Sequence, residues 1–406
     1  MMSVLGLMAA IRDVGRDPSG LGYRRFGFSP EERTLREWFI AECRKRGFDV
    51  EIDSNGITWA WVTRPGPNAV VTGSHLDSVP GGGEFDGPLG VASALAAVDQ
   101  LKADGRLERA DRPLAIAVFP EEEGSRFGVA CLGSRLLTGA IDRDRALALK
   151  DAEGVTFAQA ASAYGLTPEH IGADRDRLNQ IGSFIELHVE QGVGLINTDQ
   201  PVSIGSSIIG HGRWNFRFTG QGNHAGTTPM SHRADPVAAA SSVIGGIPQI
   251  AGAHSGSVAT VGRTHIHPGG TNVIASSMDF WLDIRHPDDA VVEAVLADIT
   301  DRAQDLAASV EGLTAEVRRE SYSPTVDFHA ALNDRLQAVL PNAPRMPSGA
   351  GHDAGILAAH VPSAMLYVRN PTGVSHAPEE ACEESDQIAG AAALADVLAA
   401  ELKATA

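Results

Sequence analysis

The sequence contains little cysteine and no long apolar run. Its three cysteines, in 406 residues, are far apart and lack C-x-x-C spacing, which excludes a disulfide framework and a thiolate zinc site and fits a reducing cytoplasm. No apolar segment approaches the length of a transmembrane helix. The short apolar stretch 4–11 is followed by charged residues, so we expect an amphipathic first helix there and not a signal peptide.

Positive charge is also scarce. The chain has 33 lysines and arginines against 51 aspartates and glutamates, a net charge of −18. Such a surface repels phosphate backbones and anionic membranes, so neither nucleic acid nor membrane is expected as a partner. No G-x-G-x-x-G follows a predicted strand, no Lys-Ser/Thr follows a glycine run, and no internal repeat is found, which argues against nucleotide-binding and repeat architectures.

The apolar pattern predicts an α/β fold. Apolar runs at 69–72, 114–119, 183–189 and 364–368 read as buried strands, and the small residues of 89–101 read as a closely packed helix. This alternation is typical of a mostly parallel sheet with helices on both faces. The stretch 151–182 is predicted to be a helical excursion and is given no role.

A second domain is predicted where the pattern changes, near residues 205–212. Alternating strands at 215–219, 258–261 and 278–284, with amphipathic helices at 236–247 and 288–308, indicate a small α+β domain with two helices on one face of an antiparallel sheet. We therefore predict a catalytic domain of 1–208 and 323–406, interrupted by an inserted domain of 209–322.

Five polar clusters follow the predicted strands, at the edge where open α/β sheets bind ligands. Individually each has a simpler interpretation, such as a capped loop, a solvated glutamate run or a satisfied core histidine. Their joint occurrence at the ends of one sheet favours a site. The clusters are His75-Leu76-Asp77 with Phe85-Asp86-Gly87; Glu121-Glu122-Glu123-Gly124; His188; His376; and Gly349-Ala350-Gly351-His352-Asp353.

These residue types suit a pair of metal ions. An imidazole such as that of His75 is a common metal ligand, Asp77 could orient its ring, and the two oxygens of Asp86 could bridge two cations. The adjacent carboxylates of 121–123 repel one another and need compensating positive charge; one can ligate while its neighbour remains free as a base. The loop 349–353 opens a helix and is a candidate anion or oxyanion site, which makes Gly351 and His352 candidate substrate contacts.

The motifs resemble those of one family: the N-carbamoyl-L-amino acid hydrolases, allantoate amidohydrolases and β-ureidopropionases, within the larger group of aminoacylases and metallopeptidases. The resemblance runs from about Phe28 to the C-terminus with the motifs in the same order. It implies a zinc-peptidase-like catalytic domain and a ferredoxin-like inserted domain. It rests on Gly73 to Asp77, Phe85 to Gly87, Glu121 to Phe127, Glu186 to Gly192 and Gly373 to His376.

The resemblance implies a role for each residue of the site. Asp86 would bridge two divalent metal ions, with His75 and His188 on one ion and Glu123 and His376 on the other. Zinc, manganese, cobalt and nickel all suit such ligands, and the sequence does not choose among them.

The resemblance also implies a base and a branch of the family. Glu122 would be the general base. Histidine at position 188, together with Gln191 as a substrate contact, favours the carbamoylase branch over the peptidases.

In the inserted domain, His224, Asn272 and Arg285 match positions that grip the substrate. Family members are usually homodimers joined through this domain, so the resemblance implies that His224 reaches the partner's site. Arg285 offers a fork for a substrate carboxylate; without the resemblance, a surface ion pair with a neighbouring aspartate is the simpler interpretation. The other histidines are interpreted as structural or peripheral, and His265 and His267 are expected in a loop.

The resulting hypothesis is a dinuclear metal-dependent amidohydrolase acting on a small, carboxylate-bearing ureido compound. A hydroxide bridging the two ions would attack the carbamoyl carbon, Glu122 would move the proton, and His224 would help to hold the oxyanion. N-carbamoyl-L-amino acids are the favoured substrates, and allantoate is the alternative. An aminoacyl-conjugate hydrolase or peptidase is disfavoured by His188 and Gln191. A non-catalytic binding protein is disfavoured because no base or ligand is lost.

Overall fold

The computed structural model describes residues 2–403, which divide into two compact units. The first unit comprises the chain up to Ser207 and from Asp327 onward, and the second is Ile208–Val326. Within the described residues, no helix combines the length and the apolar character needed to cross a membrane.

The first unit is built on a mixed sheet whose central strands are parallel. Its strands are β1 (Asp49–Ile52), β2 (Thr58–Trp61), β3 (Ala69–His75), β4 (Leu114–Phe119), β5 (Ile181–Val189), β6 (Val202–Ile208), β13 (Val326–Asp327), β14 (Arg345–Ser348) and β15 (Ser363–Val368). The order is β1-β2-β4-β3-β5-β15-β6-β13, with β14 beside β6. Because β3 pairs in parallel with β4 and β5, and β5 with β15, these four strands end at the same edge.

Helices flank this sheet, as predicted. They are α1 (Val4–Ile11), α2 (Pro30–Lys45), α3 (Pro88–Ala103), α4 (Leu132–Thr138), α5 (Arg143–Leu147), α6 (Phe157–Tyr164), α7 (Arg175–Gln180), α10 (Ala330–Val339), α11 (Asp353–Leu357) and α12 (Glu384–Glu401), with 3-10 turns at Leu107–Arg109 and Pro168–His170. The first helix and the helical excursion between 151 and 182 are both confirmed.

Close packing between α3 and the sheet depends on a glycine. A Cβ atom on Gly90 would lie 2.2 Å from the main-chain oxygen of Leu187, near the end of β5. The small residues of α3 therefore let the helix approach β5 just before the strand delivers His188 to the sheet edge. This explains why the helix is poor in large side chains.

The second unit has the predicted inserted α+β fold. Its strands are β7 (Gly210–Thr219), β8 (Asn223–His224), β9 (Val258–His267), β10 (Val273–Ile274), β11 (Ser277–His286) and β12 (Thr314–Ser323), and its helices are α8 (Pro236–Ala253) and α9 (Asp289–Ala308), with a 3-10 turn at Met230–His232. The four long strands form an antiparallel sheet in the order β12-β7-β11-β9. Along the chain, α8 lies between β7 and β9, and α9 lies between β11 and β12, which is the ferredoxin-like arrangement. The helices pack on one face of the sheet, where Phe216 and Phe280 stack with ring centroids 4.8 Å apart.

Two strands of this unit differ from what the sequence led us to expect. His265 and His267 lie within β9 and not in a loop, because β11 pairs with β9 as far as His267. The strand β12 was not predicted, since the polar run from Arg318 to Ser321 hides its alternation. Both strands lie at sheet edges with mostly exposed side chains. Their first halves place aliphatic side chains against the core (Ala259 and Val261 in β9, Ala315 and Val317 in β12), and main-chain pairing continues each strand beyond them.

We expect Gly90→Ala to lower the free energy of unfolding by about 1–3 kcal/mol, because the added methyl group overlaps the Leu187 carbonyl. Gly245→Ala is the matched control: it is also a glycine within a helix, but nothing lies within 4 Å of its Cβ position. That change should leave stability unchanged or raise it by up to about 1 kcal/mol. Chemical denaturation of the two variants compares them directly, and equal effects would contradict the close-approach argument.

Candidate metal centre

The polar residues that follow the parallel strands meet at one edge of the first unit's sheet. His75 ends β3, Glu122 follows β4, His188 lies near the end of β5, and His376 follows β15. Because neighbouring parallel strands end together, residues far apart in sequence become neighbours here.

The first group of potential ligands is His75, Asp86 and His188, all of them buried. The Nε2 atoms of the two histidines are 3.4 Å apart, and Oδ1 of Asp86 lies 3.4 Å from His75 Nε2 and 3.2 Å from His188 Nε2. The other ring nitrogens, Nδ1, lie 3.1 Å and 2.9 Å from the main-chain oxygens of Asp77 and Val189. An N–H at Nδ1 leaves the Nε2 lone pairs of both rings directed towards the same region.

The second group is Asp86, Glu123 and His376. Oδ2 of Asp86 lies 3.5 Å from His376 Nε2, which is 3.4 Å from Glu123 Oε2. Asp86 thus belongs to both groups, with one oxygen directed to each. The side chain of His376 is 47% exposed, so the second group lies closer to solvent than the first.

Both groups fit a divalent cation. Two ligand atoms about 2.1 Å from one ion and at the tetrahedral angle are about 3.4 Å apart, which matches the spacings within each group. Most of these atoms are acceptors that face one another, and Oε1 of Glu123 is buried without a hydrogen-bond partner. Imidazole and carboxylate ligands suit zinc, manganese, cobalt and nickel.

The electrostatics of the site favour added positive charge. Burial opposes protonation of His75, but the carboxylates of Glu122, Asp77 and Asp86 outweigh it and raise its pKa well above the ordinary value. Against the same burial, Asp86 raises the pKa of His188 to about 8. Burial, followed by the charges of Asp86 and Glu122, raises the pKa of Glu123 well above its usual range. Each of these pKa shifts has the sign expected where several carboxylates lie close together and are buried.

Glu122 lies beside the two groups and belongs to neither. Its Oε2 is 3.7 Å from His75 Nε2, and its side chain is buried. Burial raises the pKa of Glu122 to about 7, although the charge of His75 opposes the shift. A carboxylate with a pKa in this range is suited to accept and return a proton near neutral pH.

Asp77 holds the chain that carries the glutamates. Its Oδ1 accepts the Glu122 N–H at 3.2 Å, and its Oδ2 accepts the Glu123 N–H at 3.1 Å. The distance from Oδ1 to His75 Nδ1 is 3.6 Å, so the carboxylate contacts the ring less closely than it contacts the two amides. In this structure Asp77 therefore positions Glu122 and Glu123 at least as directly as it orients His75.

Gly87 makes room for the first group. Its φ is +84°, and a Cβ atom there would lie 2.5 Å from the His75 ring. Its N–H donates to Nε2 of His188 at 3.2 Å, which is compatible with an unprotonated nitrogen at that position. Both the backbone conformation and the space available require glycine.

The sequence analysis assigned no role to three buried acids near the site. Oε2 of Glu380 accepts the N–H groups of Phe85 and Asp86, at 2.8 Å and 3.1 Å, and so ties the loop after β15 to the loop that carries Asp86. Glu186 and Asp353 lie buried behind the ligands. Glu186 shares a strand face with His188, so alternation offered a signal for it. Nothing in the sequence pattern offered one for Glu380, whose role depends on how two loops pack.

The substrate contacts predicted in the first unit are only partly brought together. Nε2 of Gln191 lies 2.8 Å from Asp86 Oδ2 and 3.3 Å from His376 Nε2, and its Oε1 is buried without a partner. The His352 ring is buried with its centroid 4.6 Å from that of His188, and burial lowers its pKa well below the ordinary value, so it is neutral. Gly351 is exposed.

The substrate contacts predicted in the second unit lie at two ends of its sheet. His224 in β8 and Asn272 beside β10 are neighbours through the pairing of these short strands, at the end where β11 begins, and both side chains are exposed. Arg285 lies near the other end of β11, with its guanidinium 2.8 Å and 3.3 Å from the carboxylate oxygens of Asp283. The structure therefore brings His224 to Asn272 and leaves Arg285 apart from them.

Comparison with known proteins identifies the family. Residues 71–400 match Peptidase family M20/M25/M40, so the chain belongs to it. It is 36% identical over 387 residues to the N-carbamoyl-L-amino acid amidohydrolase of Geobacillus stearothermophilus, covering 94% of each chain. It is 31% identical over 394 residues to the allantoate amidohydrolase of Escherichia coli strain K12, covering 95% of this chain and 94% of that one.

Solved structures support the same assignment. A hydantoinase/carbamoylase family amidase from Burkholderia multivorans superposes with a TM-score of 0.86 at 30% identity, covering 98% of this chain and 97% of that one. The crystal structure of AtUAH, 27% identical with a TM-score of 0.80, is a complex with glyoxylate and covers 98% of this chain and 97% of that one. The protein is thus a hydrolase of the carbamoylase and allantoate amidohydrolase type, and the resemblance seen in its motifs is confirmed.

Metal content should follow the two ligand groups. We expect Asp86→Ala to lose both ions, and His188→Ala and His376→Ala to lose one each, because only Asp86 belongs to both groups. The measurement is metal per chain by mass spectrometry after loading with manganese and dialysis. His232→Ala, an exposed histidine of the second unit, is the control. Retention of two ions by His188→Ala would contradict the assignment.

Proposed function

We propose that the protein hydrolyses N-carbamoyl-L-amino acids with the help of two divalent metal ions. The observation that carries this proposal is that two ligand groups share Asp86 while Glu122 stands beside them, outside both. The overall reaction adds one water and releases the L-amino acid, ammonia and carbon dioxide.

In this proposal one ion is held by His75, Asp86 and His188, and the other by Asp86, Glu123 and His376. When bound, such ions lower the pKa of a coordinated water and polarise a substrate carbonyl. The remaining chemistry falls to groups of the protein.

Glu122 is proposed to move the proton. Its buried carboxylate takes a proton from the attacking water and gives it to the nitrogen that leaves as the carbamoyl C–N bond breaks. The carbamic acid then decomposes to ammonia and carbon dioxide. The two hydrogen bonds from the backbone of Glu122 and Glu123 to Asp77 keep the base in place during both transfers.

The substrate is proposed to be held at both of its ends. The buried Oε1 of Gln191 accepts an N–H of the ureido group, and the neutral ring of His352 lies behind it. Gly351, in the loop that precedes α11, is proposed to add a main-chain contact. At the other end, the planar guanidinium of Arg285 binds the substrate carboxylate. To do so, Arg285 would exchange part of its contact with Asp283 for the substrate carboxylate, which would supply local positive charge in a chain with a net charge of −18.

We further propose that the active species is a homodimer formed through the second unit. His224 and Asn272 lie at one end of its sheet and Arg285 near the other. This separation is expected if His224 and Asn272 donate hydrogen bonds to the oxyanion and the substrate in the partner's active site, while Arg285 binds the substrate in the active site of its own subunit.

Allantoate is the second candidate substrate, because allantoate amidohydrolases reach 31% identity over nearly the whole chain. It is also an acid with ureido groups, and the same side chains would act on it. We place the carbamoyl amino acids first because one carbamoylase reaches 36% identity, although another, from Pseudomonas sp. strain NS671, is 31% identical like the allantoate amidohydrolase, so the substrate panel has to decide between them.

A substrate panel tests the proposed function. Manganese-loaded enzyme is assayed for ammonia and amino-acid release with N-carbamoyl-L-amino acids, allantoate, β-ureidopropionate and N-acetyl-amino acids. We expect preference for one class of N-carbamoyl-L-amino acid. Glu122→Gln, which should bind metal normally but lose at least a hundredfold in kcat, is the blank. Preference for allantoate would select the second candidate, and turnover of acyl conjugates alone would refute both.

Subunit mixing tests the proposed dimer. His224→Ala and Glu122→Ala should each be inactive alone, since one lacks the oxyanion donor and the other the base. Mixed and allowed to exchange, they should recover up to about a quarter of wild-type activity, because random pairing makes half of the dimers mixed and each of these carries one intact site. Native mass spectrometry of the mixture confirms exchange. Exchange without recovered activity would place His224 in its own subunit's site or outside catalysis.

A further inference from the structure

We propose that the thiol of Cys131 is a positioning residue for Glu122, donating a hydrogen bond to one carboxylate oxygen and leaving the other directed at the metal ligands. This inference rests on the proposed function in that it takes Glu122 as the base. It assigns a part in the site to a residue that the sequence analysis considered only as one of three unpaired cysteines.

The two oxygens of Glu122 have different surroundings. Sγ of Cys131 lies 3.3 Å from Oε1, whereas Oε2 lies 3.7 Å from Nε2 of His75, on the side of the ligand groups. Both side chains are buried, at 2% and 5% exposure, so water does not compete freely for Oε1. A hydrogen bond at one oxygen favours one orientation of the carboxylate about its last bond, and Oε2 is the oxygen left to exchange a proton with water at the ligand groups.

The main chain holds the thiol in this position. Cys131 has a left-handed conformation with φ of 54°, and its N–H donates to the main-chain oxygen of Glu122 at 2.6 Å. The next two N–H groups, of Leu132 and Gly133, donate to the oxygens of Glu121 and Pro120 at 3.0 Å and 3.2 Å. The start of α4 is therefore bonded to the segment that carries the base. A left-handed non-glycine residue persists only where its surroundings determine it in this way.

The hydrogen bond runs from sulfur to oxygen. Burial, reinforced by the nearby carboxylates of Glu122 and Asp353, raises the pKa of the Cys131 thiol well above its ordinary value, so the thiol keeps its proton. A thiol is a weak donor, but an ionised carboxylate in a buried site is a strong acceptor. The other cysteines are also buried and offer no such contact: Cys43 lies within α2 on its core side, and Sγ of Cys382 lies 3.9 Å from a main-chain oxygen.

The test compares Cys131→Ala and Cys131→Ser in the metal-loaded, full-length enzyme. Alanine removes the donor, and we expect kcat to fall about 5- to 20-fold with little change in KM, at or below the low end for loss of one hydrogen bond to a charged group because a thiol is a weak donor. Serine keeps a donor and should restore most of the rate. Both residues meet the same left-handed backbone, so strain cancels in the comparison. Cys43→Ala, which deletes a buried thiol away from the site, should keep the wild-type kcat.

Metal content and melting temperature are measured for every variant, so that loss of ions or of folding is not mistaken for loss of positioning. Wild-type kcat in Cys131→Ala would overturn the proposal. So would a Cys131→Ser variant that is as slow as the alanine variant while holding two ions and melting normally, because a donor would then not be what the base requires.

A spectroscopic readout separates this proposal from the proposed function. In a chain with Cys43 and Cys382 replaced by alanine, the remaining S–H stretching band belongs to Cys131, and hydrogen bonding lowers its frequency. Glu122→Ala should shift the band to higher frequency, whether or not any ureido acid is turned over. An unmoved band would refute the contact. A shifted band in an enzyme that cleaves no member of the substrate panel would support the contact and refute the proposed function. If Cys131→Ala does not fold, the comparison of the S–H band with and without the Glu122→Ala change tests the contact by itself.

Discussion

Buried negative charge at one edge of a parallel sheet is the constraint on which the rest of the first unit depends. Isolated carboxylates are costly to remove from water unless they are hydrogen-bonded or paired with a cation. Here they are satisfied in two ways. Main-chain N–H groups donate hydrogen bonds to some of these carboxylates. Others, such as Asp86, are arranged so that they could bind a cation. The buried acids at this edge are Asp77, Asp86, Glu121, Glu122, Glu186, Glu190, Asp353 and Glu380.

The loops at this edge are organised by the first of these solutions. Asp77 accepts the N–H groups of Glu122 and Glu123, Glu121 accepts those of Arg126 and Phe127, and Glu380 accepts those of Phe85 and Asp86. Each carboxylate thus shapes a neighbouring loop as well as satisfying itself. The ligands therefore lie on short loops whose main chains are fixed by hydrogen bonds to these carboxylates. A metal site needs its ligands to be positioned precisely in this way.

The central strands, and the position of the site at their ends, could be predicted from the sequence. A run such as 114–119, apolar throughout, predicts a strand buried on both faces, and polar residues directly after it predict a site at the strand end. The inserted domain was also recognisable, because alternating strands and two amphipathic helices replace the buried strands of the first unit there. In the structure these helices begin at N-caps: the side chains of Asp235 and Asp288 accept N–H groups of the first turn.

What the sequence could not provide depends on contacts between segments distant along the chain. The second halves of the outer strands β9 and β12 carry mostly polar side chains, so the full length of these strands depends on main-chain pairing to β11 and β7. Glu380 and Cys131 come to the site through loop packing, and no local pattern marks them. A predicted helix end at 247 was likewise too early, because Pro248 lies within α8 and does not end it.

The shared position of Asp86 means that the two cation sites cannot be independent. An ion bound by His75 and His188 would fix the carboxylate in the orientation that the second site needs, which favours a second ion; it would also remove negative charge, which disfavours one. The ligands of the first site are fully buried, while His376 of the second is about half exposed. We therefore expect stepwise loading, with a slowly exchanging inner ion and an outer ion that equilibrates with the metals available in the surroundings. A single chain could in this way hold two different metals at once.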